Sequence, residues 1–163
     1  MKTLVTHIIL TVVGSYLFFS HTPYEGTAIK ASIVGTILFL LLWLSSFIYQ
    51  RSYFRKLPKA FLLFLHFSKE FITANLRIAH DILTLKYHMQ PTLIALPLTV
   101  RSDFEITMLA CIITLTPGTL SIDISPDKKL LYIHSLYVPA GGVEVLKQEI
   151  KDGFEKRIME LIA

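Results

Sequence analysis

Ala31-Ser32-Ile33-Val34-Gly35-Thr36-Ile37-Leu38-Phe39-Leu40-Leu41-Leu42-Trp43-Leu44-Ser45-Ser46-Phe47-Ile48 is 18 consecutive residues without a charge. At 1.5 Å of rise per residue, a helix of this length reaches across a hydrocarbon core of roughly 30 Å. Toward the amino terminus, Leu4 to Ser20 is a second run of the same kind, broken only by His7 and Gly14. Between them lies His21-Thr22-Pro23-Tyr24-Glu25-Gly26, a short link rich in turn formers. Two apolar spans, about Thr3–Ser20 and Ala28–Tyr49, joined so closely predict an antiparallel membrane hairpin. The exit of the first run, Phe18-Phe19-Ser20-His21, lacks a small-x-small cleavage pattern, so it reads as an uncleaved anchor. Neither run contains Asp or Glu, the groups that proton and sodium paths through lipid rely on.

Outward from the second span, Arg51, Arg55, Lys56 and Lys59 form a basic cluster. Positive charge flanking a span marks the cytoplasmic side, which places the amino terminus and this cluster inside and the His21–Gly26 link outside. The charge of the whole chain is +4, unevenly placed. Up to His88 there are nine Lys/Arg against three acids, net +6; from Met89 there are seven against nine, net −2. The basic excess therefore belongs to the membrane half and argues for anionic lipid rather than nucleic acid.

Pro58, well placed at a first helical turn, is expected to start a third helix running to about Tyr87. Its polar residues His66, Lys69, Glu70, Thr73, Arg77, His80, Asp81 and Thr84 recur in steps of three and four. They form one stripe, with Phe61, Leu65, Phe67, Phe71, Ile72, Leu76, Ile78, Ile82 and Leu85 around it. Such a helix suits an interface, either the membrane surface or partner subunits. Spanning would put Lys69 and Glu70 near mid-bilayer, at high cost.

The remainder reads as a soluble unit. Leu93–Thr99 is a short strand whose Pro97 suits an edge. Ser102-Asp103-Phe104-Glu105 is a capping box opening a helix to Leu115, apolar on most sides and expected to be buried. Cys111, within it, reads as a small core residue. Thr116-Pro117-Gly118-Thr119 is a turn, with Pro fixing φ and Gly supplying a positive φ. Leu120, Ile122 and Ile124 alternate with Ser121, Asp123 and Ser125, predicting a half-buried strand. A type I turn at Ser125-Pro126-Asp127-Lys128 returns the chain into a strand from Leu130 to Val138. After Gly141-Gly142, one helix carries Val143, Leu146, Ile150, Phe154, Ile158 and Leu161 on one face. The predicted fold is an α-helical membrane hairpin plus amphipathic helix, followed by a small α+β domain. That domain has the order β-α-β-β-α and is ferredoxin-like without the last strand, its helices covering one sheet face. The expected divisions are 1–52 for the hairpin, 53–88 for the basic link and third helix, and 89–163 for the α/β domain.

Motifs for catalysis are missing. The six histidines show no metal spacing, and His134, within a strand, reads as structural. No nucleotide-binding glycine motif or nucleophile elbow occurs. The Thr116–Thr119 turn precedes a strand, so no helix dipole serves a phosphate there. The reading is of a non-enzyme without cofactor or metal.

Several stretches resemble the E-type component of the Mrp/Mnh multisubunit cation/proton antiporters. They are Phe71-Ile72-Thr73-Ala74-Asn75-Leu76, Ile94-Ala95-Leu96-Pro97-Leu98, Ser102-Asp103-Phe104-Glu105-Ile106-Thr107 and Leu131-Tyr132-Ile133-His134. The most specific is Ile113-Thr114-Leu115-Thr116-Pro117-Gly118-Thr119-Leu120-Ser121. The resemblance implies an accessory, structural subunit of a Na+/H+ antiporter in a bacterial inner membrane. Its partners would be large proton-channel-like subunits and small membrane subunits, and its α/β domain would lie in the cytoplasm. The motif positions Ser102, Glu105, Thr116, Pro117, Gly118 and Thr119 carry over as structural signature positions, since they map onto a cap and a turn. Related modules occur in membrane-bound hydrogenase complexes. A membrane-tethered binding or regulatory module is the reading of a different class.

Overall fold

Two helices long and apolar enough to cross a membrane open the chain: α1, Lys2–His21, and α2, Ala28–Tyr49. The computed structural model describes residues 2–23, 27–84 and 88–162. The end of the expected link and the expected last residues of the third helix, 85–87, lie outside the described residues. By internal contacts the chain divides into two units, Met1–Pro58 and Lys59–Ala163.

In the first unit α1 packs on α2, and each buries a polar residue: His7 in α1 and Ser46 in α2. Most of the large apolar side chains point outward, among them Val12, Tyr16, Ile29, Leu41, Leu44 and Ile48. Thr27 caps α2, its hydroxyl accepting from the Lys30 N–H at 3.4 Å.

The third helix, α3, corrects the expectation. It spans Arg51–Thr84, beginning one residue after α2 ends, and Pro58 lies inside it rather than at its start. Proline has no N–H, so the carbonyl of Phe54, four residues back, loses its helical donor. The indole N–H of Trp43 donates to that carbonyl instead, at 3.3 Å, with the Trp43 and Phe54 rings stacked at 4.7 Å. A tertiary donor replaces the missing backbone one, and the helix continues. The basic residues expected in a link thus sit on helical turns, with Arg51, Arg55 and Lys59 four apart.

The second unit has a three-stranded antiparallel sheet in the order β1-β3-β2, formed by β1 Thr92–Pro97, β2 Thr119–Ile124 and β3 Leu130–Ser135. β1 is at an edge, where Pro97 costs no central hydrogen bond. Between β1 and β2 runs α4, Asp103–Leu115, opened by the predicted box. Glu105 N–H donates to Ser102 Oγ at 3.2 Å, and Ser102 N–H donates to the Glu105 carboxylate at 3.0 Å. The β2–β3 turn closes with Lys128 N–H on the Ser125 carbonyl at 2.8 Å, and Lys128 takes a positive φ of 55°. The core joins Ile94, Leu96, Val100, Ile106, Leu109, Ile113, Leu131, Ile133, Ile150, Phe154 and Ile158, with Leu63 of α3.

Two expectations fail within this unit, and a third is refined. β2 turns Leu120 and Ile122 outward, 49% and 55% exposed. Ser121 faces inward, its hydroxyl donating to the Ala110 carbonyl at 3.1 Å. A bulge makes the switch: Ser121 pairs with Ile133 and Asp123 with Tyr132, leaving Ile122 as the extra residue, so Ile124 again faces the core side. α4 buries only Ile106, Leu109 and Ile113; Phe104, Cys111 and Leu115 are exposed. A three-stranded sheet covers one stripe of a helix, so Cys111 is not a core residue. The last helix runs from Val143 to Ile162 as expected, but a π-helical turn, Lys151–Glu155, is set into it between α5, Val143–Ile150, and α6, Lys156–Ile162.

Candidate functional site

α3 faces its own unit with a mixed stripe. Leu63, His66, Phe67, Glu70, Ala74, Ile78 and Asp81 are buried or half-buried, at helical spacing. Phe61, Leu62, Phe64, Leu65, Phe71, Ile72, Leu76, Ile82 and Leu83 are exposed. The arrangement departs from that of a soluble surface helix, since Asp81 is enclosed and large apolar side chains are left bare.

The enclosed side borders a cavity of about 520 Å³. Glu70, Thr73 and Arg77 line it from α3; Thr116, Pro117, Gly118 and Thr119 from the turn; Asp152 and Arg157 from the last helices. The turn is built by helix termination. Thr116 Oγ1 donates to the Ile112 carbonyl at 3.0 Å, and Thr119 Oγ1 donates to the Ile113 carbonyl at 2.5 Å. These hydroxyls satisfy the orphan carbonyls of α4. Gly118 holds a φ of 91°, which a side chain tolerates poorly. Four of the six signature positions therefore meet at one cavity wall. Ser102 and Glu105 stay at the far end of α4 as its cap and do not line it.

The π-helical turn meets α3 closely. A Cβ on Gly153 would lie 2.9 Å from His66 Nε2, so any other residue there would require the ring to shift. His66 also packs edge-on to Phe154, ring centroids 5.0 Å apart. The π turn leaves backbone carbonyls without regular partners; Arg157 donates to those of Asp152 and Gly153 at 2.8 and 2.6 Å. Burial holds the His66 imidazole below its ordinary pKa, helped by the Arg157 and Lys69 charges and opposed by Glu70.

Asp81 anchors the other end of α3. It is 2% exposed and accepts from Tyr137 OH at 3.0 Å, His88 Nδ1 at 3.1 Å and His88 N–H at 3.4 Å. These donors, His88 first, pull its carboxyl below the usual range, against the effect of burial. Burial and the bond to Asp81 push the Tyr137 hydroxyl up. Arg77 lies over the Tyr137 ring at 5.3 Å. Helical spacing puts Asp81 on the polar stripe but gives no sign of these partners.

Glu155 has no signal in the sequence at all. It is 1% exposed and accepts from Thr99 and Val100 N–H at 2.5 and 3.0 Å, with Lys151 Nζ at 3.6 Å. Those two donors lie in the loop after β1, 55 residues or more away in sequence, and no local pattern announces such a pairing. Of the basic cluster, Arg51 stacks on Phe47 at 5.2 Å, and Lys59 donates to the Glu160 carbonyl of α6 at 2.6 Å. Among the described residues no group of three His, Cys, Asp or Glu is placed to hold a metal ion.

The chain as a whole is similar to relatives of known kind. The E component of the Na+/H+ antiporter of Alkalihalophilus pseudofirmus is 38% identical over 129 residues, 79% of each chain. That of Bacillus subtilis is 34% identical over 146 residues, 90% of each chain. Among solved structures, a chain of the membrane-bound sulfane sulfur reductase, an archaeal respiratory membrane complex, superposes with a TM-score of 0.52 at 26% identity, covering 98% of both chains. The family model described as Na+/H+ ion antiporter subunit matches residues 9–161. With almost its entire length so matched, this chain belongs to the Na+/H+ ion antiporter subunit family.

Proposed function

We propose that the chain is an accessory, structural subunit of a multisubunit Na+/H+ antiporter, supporting assembly and exchange without being the main ion path and without enzymatic activity. The observation that carries this is α3. Asp81 is enclosed and His66 half-enclosed by its own α/β unit, while Phe61, Phe64, Phe71, Ile72 and Leu76 are left bare. A bare apolar face of this length suits lipid or the large channel-like subunits. The hairpin, 1–52, spans the bilayer. Segment 53–88 lies along the interface, with Arg51, Arg55, Lys56 and Lys59 keeping that end cytoplasmic. The domain 89–163, a ferredoxin-like unit without its last strand, sits on the cytoplasmic side. Ser102, Glu105, Thr116, Pro117, Gly118 and Thr119 act by shaping α4 and the cavity wall.

The likeness to a chain of a respiratory complex supports a second reading, in which the same architecture serves another membrane machine. Purification from native membranes in gentle detergent through a tag after Ala163, with mass spectrometry of what co-purifies, separates them. Large antiporter-like multispanning proteins support the first reading, and redox or hydrogenase subunits the second. The chain alone, where other membrane complexes survive, overturns both in favour of a tethered binding module using the 520 Å³ cavity.

A further inference from the structure

Inside the hairpin, the facing side of α1 is polar. Thr3, His7, Thr11 and Ser15 are four residues apart and share one face over about 18 Å of helix. Thr3 bonds the Gln50 side chain, and Ser15 Oγ donates to the Ala31 carbonyl at 3.4 Å. Between them His7, 2% exposed, sets Nε2 at 2.5 Å from the Tyr49 hydroxyl. Tyr53 meets the same imidazole edge-on at 5.2 Å. Among the described residues, three enclosed polar atoms of this group have no hydrogen-bond partner: His7 Nδ1, Thr11 Oγ1 and the Tyr53 hydroxyl.

Polar side chains often join helices in lipid, and that accounts for Thr3 and Ser15, which are paired. It does not account for three unpaired atoms at one place, since each such group carries a desolvation cost with no bond in return. The tautomer of His7 offers no escape. With Tyr49 donating to Nε2, Nδ1 bears the hydrogen and needs an acceptor; with Nε2–H donating, Nδ1 needs a donor. One water molecule supplies both kinds of bond and takes two to four partners.

We propose that His7, Thr11 and Tyr53 form a hydration site inside the hairpin, through which His7 exchanges protons. The step is reversible and balanced: the hydronium form of the bound water gives its proton to Nδ1, leaving water and an imidazolium, and takes it back. The titratable groups facing the ring are Tyr49 from α2 and Tyr53 from the first turn of α3. With no carboxylate in either span, this is the hairpin's one protonatable interior group among the described residues.

The test is magic-angle-spinning NMR of the full chain in lipid bilayers, with isotope-labelled histidine. The His7 ring signals are those that vanish in His7→Gln. Expected is rapid magnetisation transfer from water to the His7 ring, through Nδ1 as well as its carbon-bound protons, comparable with exposed His88. Thr11→Val and Tyr53→Phe, which keep the shape and delete one hydroxyl each, should lower the transfer several-fold. A His7 ring with no water transfer in the unaltered chain overturns the site, whatever the variants do. Unchanged transfer in both hydroxyl variants overturns the assignment of its walls. Transfer that reaches the carbon-bound ring protons but not Nδ1 overturns the proton exchange.

Discussion

The two units solve opposite problems. In the hairpin the residues most completely enclosed are His7 and Ser46, and the aliphatic side chains are outside. In the α/β unit Leu96, Leu109, Ile133 and Ile158 are fully enclosed, and most charge is outside. The difference is one of solvent. Water drives apolar surface inward. Lipid tails are as apolar as leucine, so in a bilayer only polar groups gain by turning inward. α3 contributes to both units and shows both rules, with a bare apolar face and an enclosed Asp81, 2% exposed.

The strongest way to break this contrast is to make the same cut in each unit. Leu109→Ala should destabilise the α/β unit by about 3 kcal/mol, as fully enclosed leucines do. Leu41→Ala, at a side chain 58% exposed in the hairpin, should shift the same denaturant midpoint little. Equal losses at both positions would mean that the hairpin has an aliphatic core after all.

Next in size is Glu155→Ala. It strands the Thr99 and Val100 N–H groups and should cost about 2 kcal/mol by thermal melting. Glu155→Gln, which keeps an acceptor, should lose less. If the two variants melt alike, the carboxylate charge and its Lys151 partner matter more than the paired N–H groups.

Trp43→Phe sharpens the account of α3. It removes the donor to the Phe54 carbonyl and should cost about 1 kcal/mol, but only while Pro58 is present. In a Pro58→Ala background the backbone supplies that bond, so the double-mutant cycle should show coupling. Additive effects would detach the indole from the proline. Ser102→Ala, which removes the α4 cap, belongs to the same range, about 1 kcal/mol.

The smallest expected change is a pH dependence at the end of α3. Asp81 has a folded pKa below its ordinary value. Its contribution is therefore complete above the unfolded value near ~4 and is lost as pH falls through the lower folded value. Protease protection of the α3 end should hold at mildly acidic pH and fail only in strong acid. Asp81→Asn should remove that acid limb. An acid limb unchanged in this variant would point to another carboxylate.

Much of this was legible in the chain itself. Uncharged runs of membrane length, the stripe of α3, the Ser102–Glu105 box and the Thr116–Thr119 turn all rest on interactions within a few residues, which periodicity and residue type reveal. What tertiary structure alone decided lies in long-range pairings. Trp43 caps the carbonyl freed by Pro58, so α3 starts at Arg51. Ser121 reaches the Ala110 carbonyl, so β2 bulges and Leu120 and Ile122 turn outward. Cys111 is exposed because the sheet has three strands and covers one stripe of α4. Glu155 is enclosed because donors far away in sequence arrive beside it, and Asp81 because Tyr137, 56 residues on, joins the nearby His88. Alternation and spacing fix which side chains share a face wherever no bulge intervenes. Which way that face points depends on what the rest of the chain brings against it.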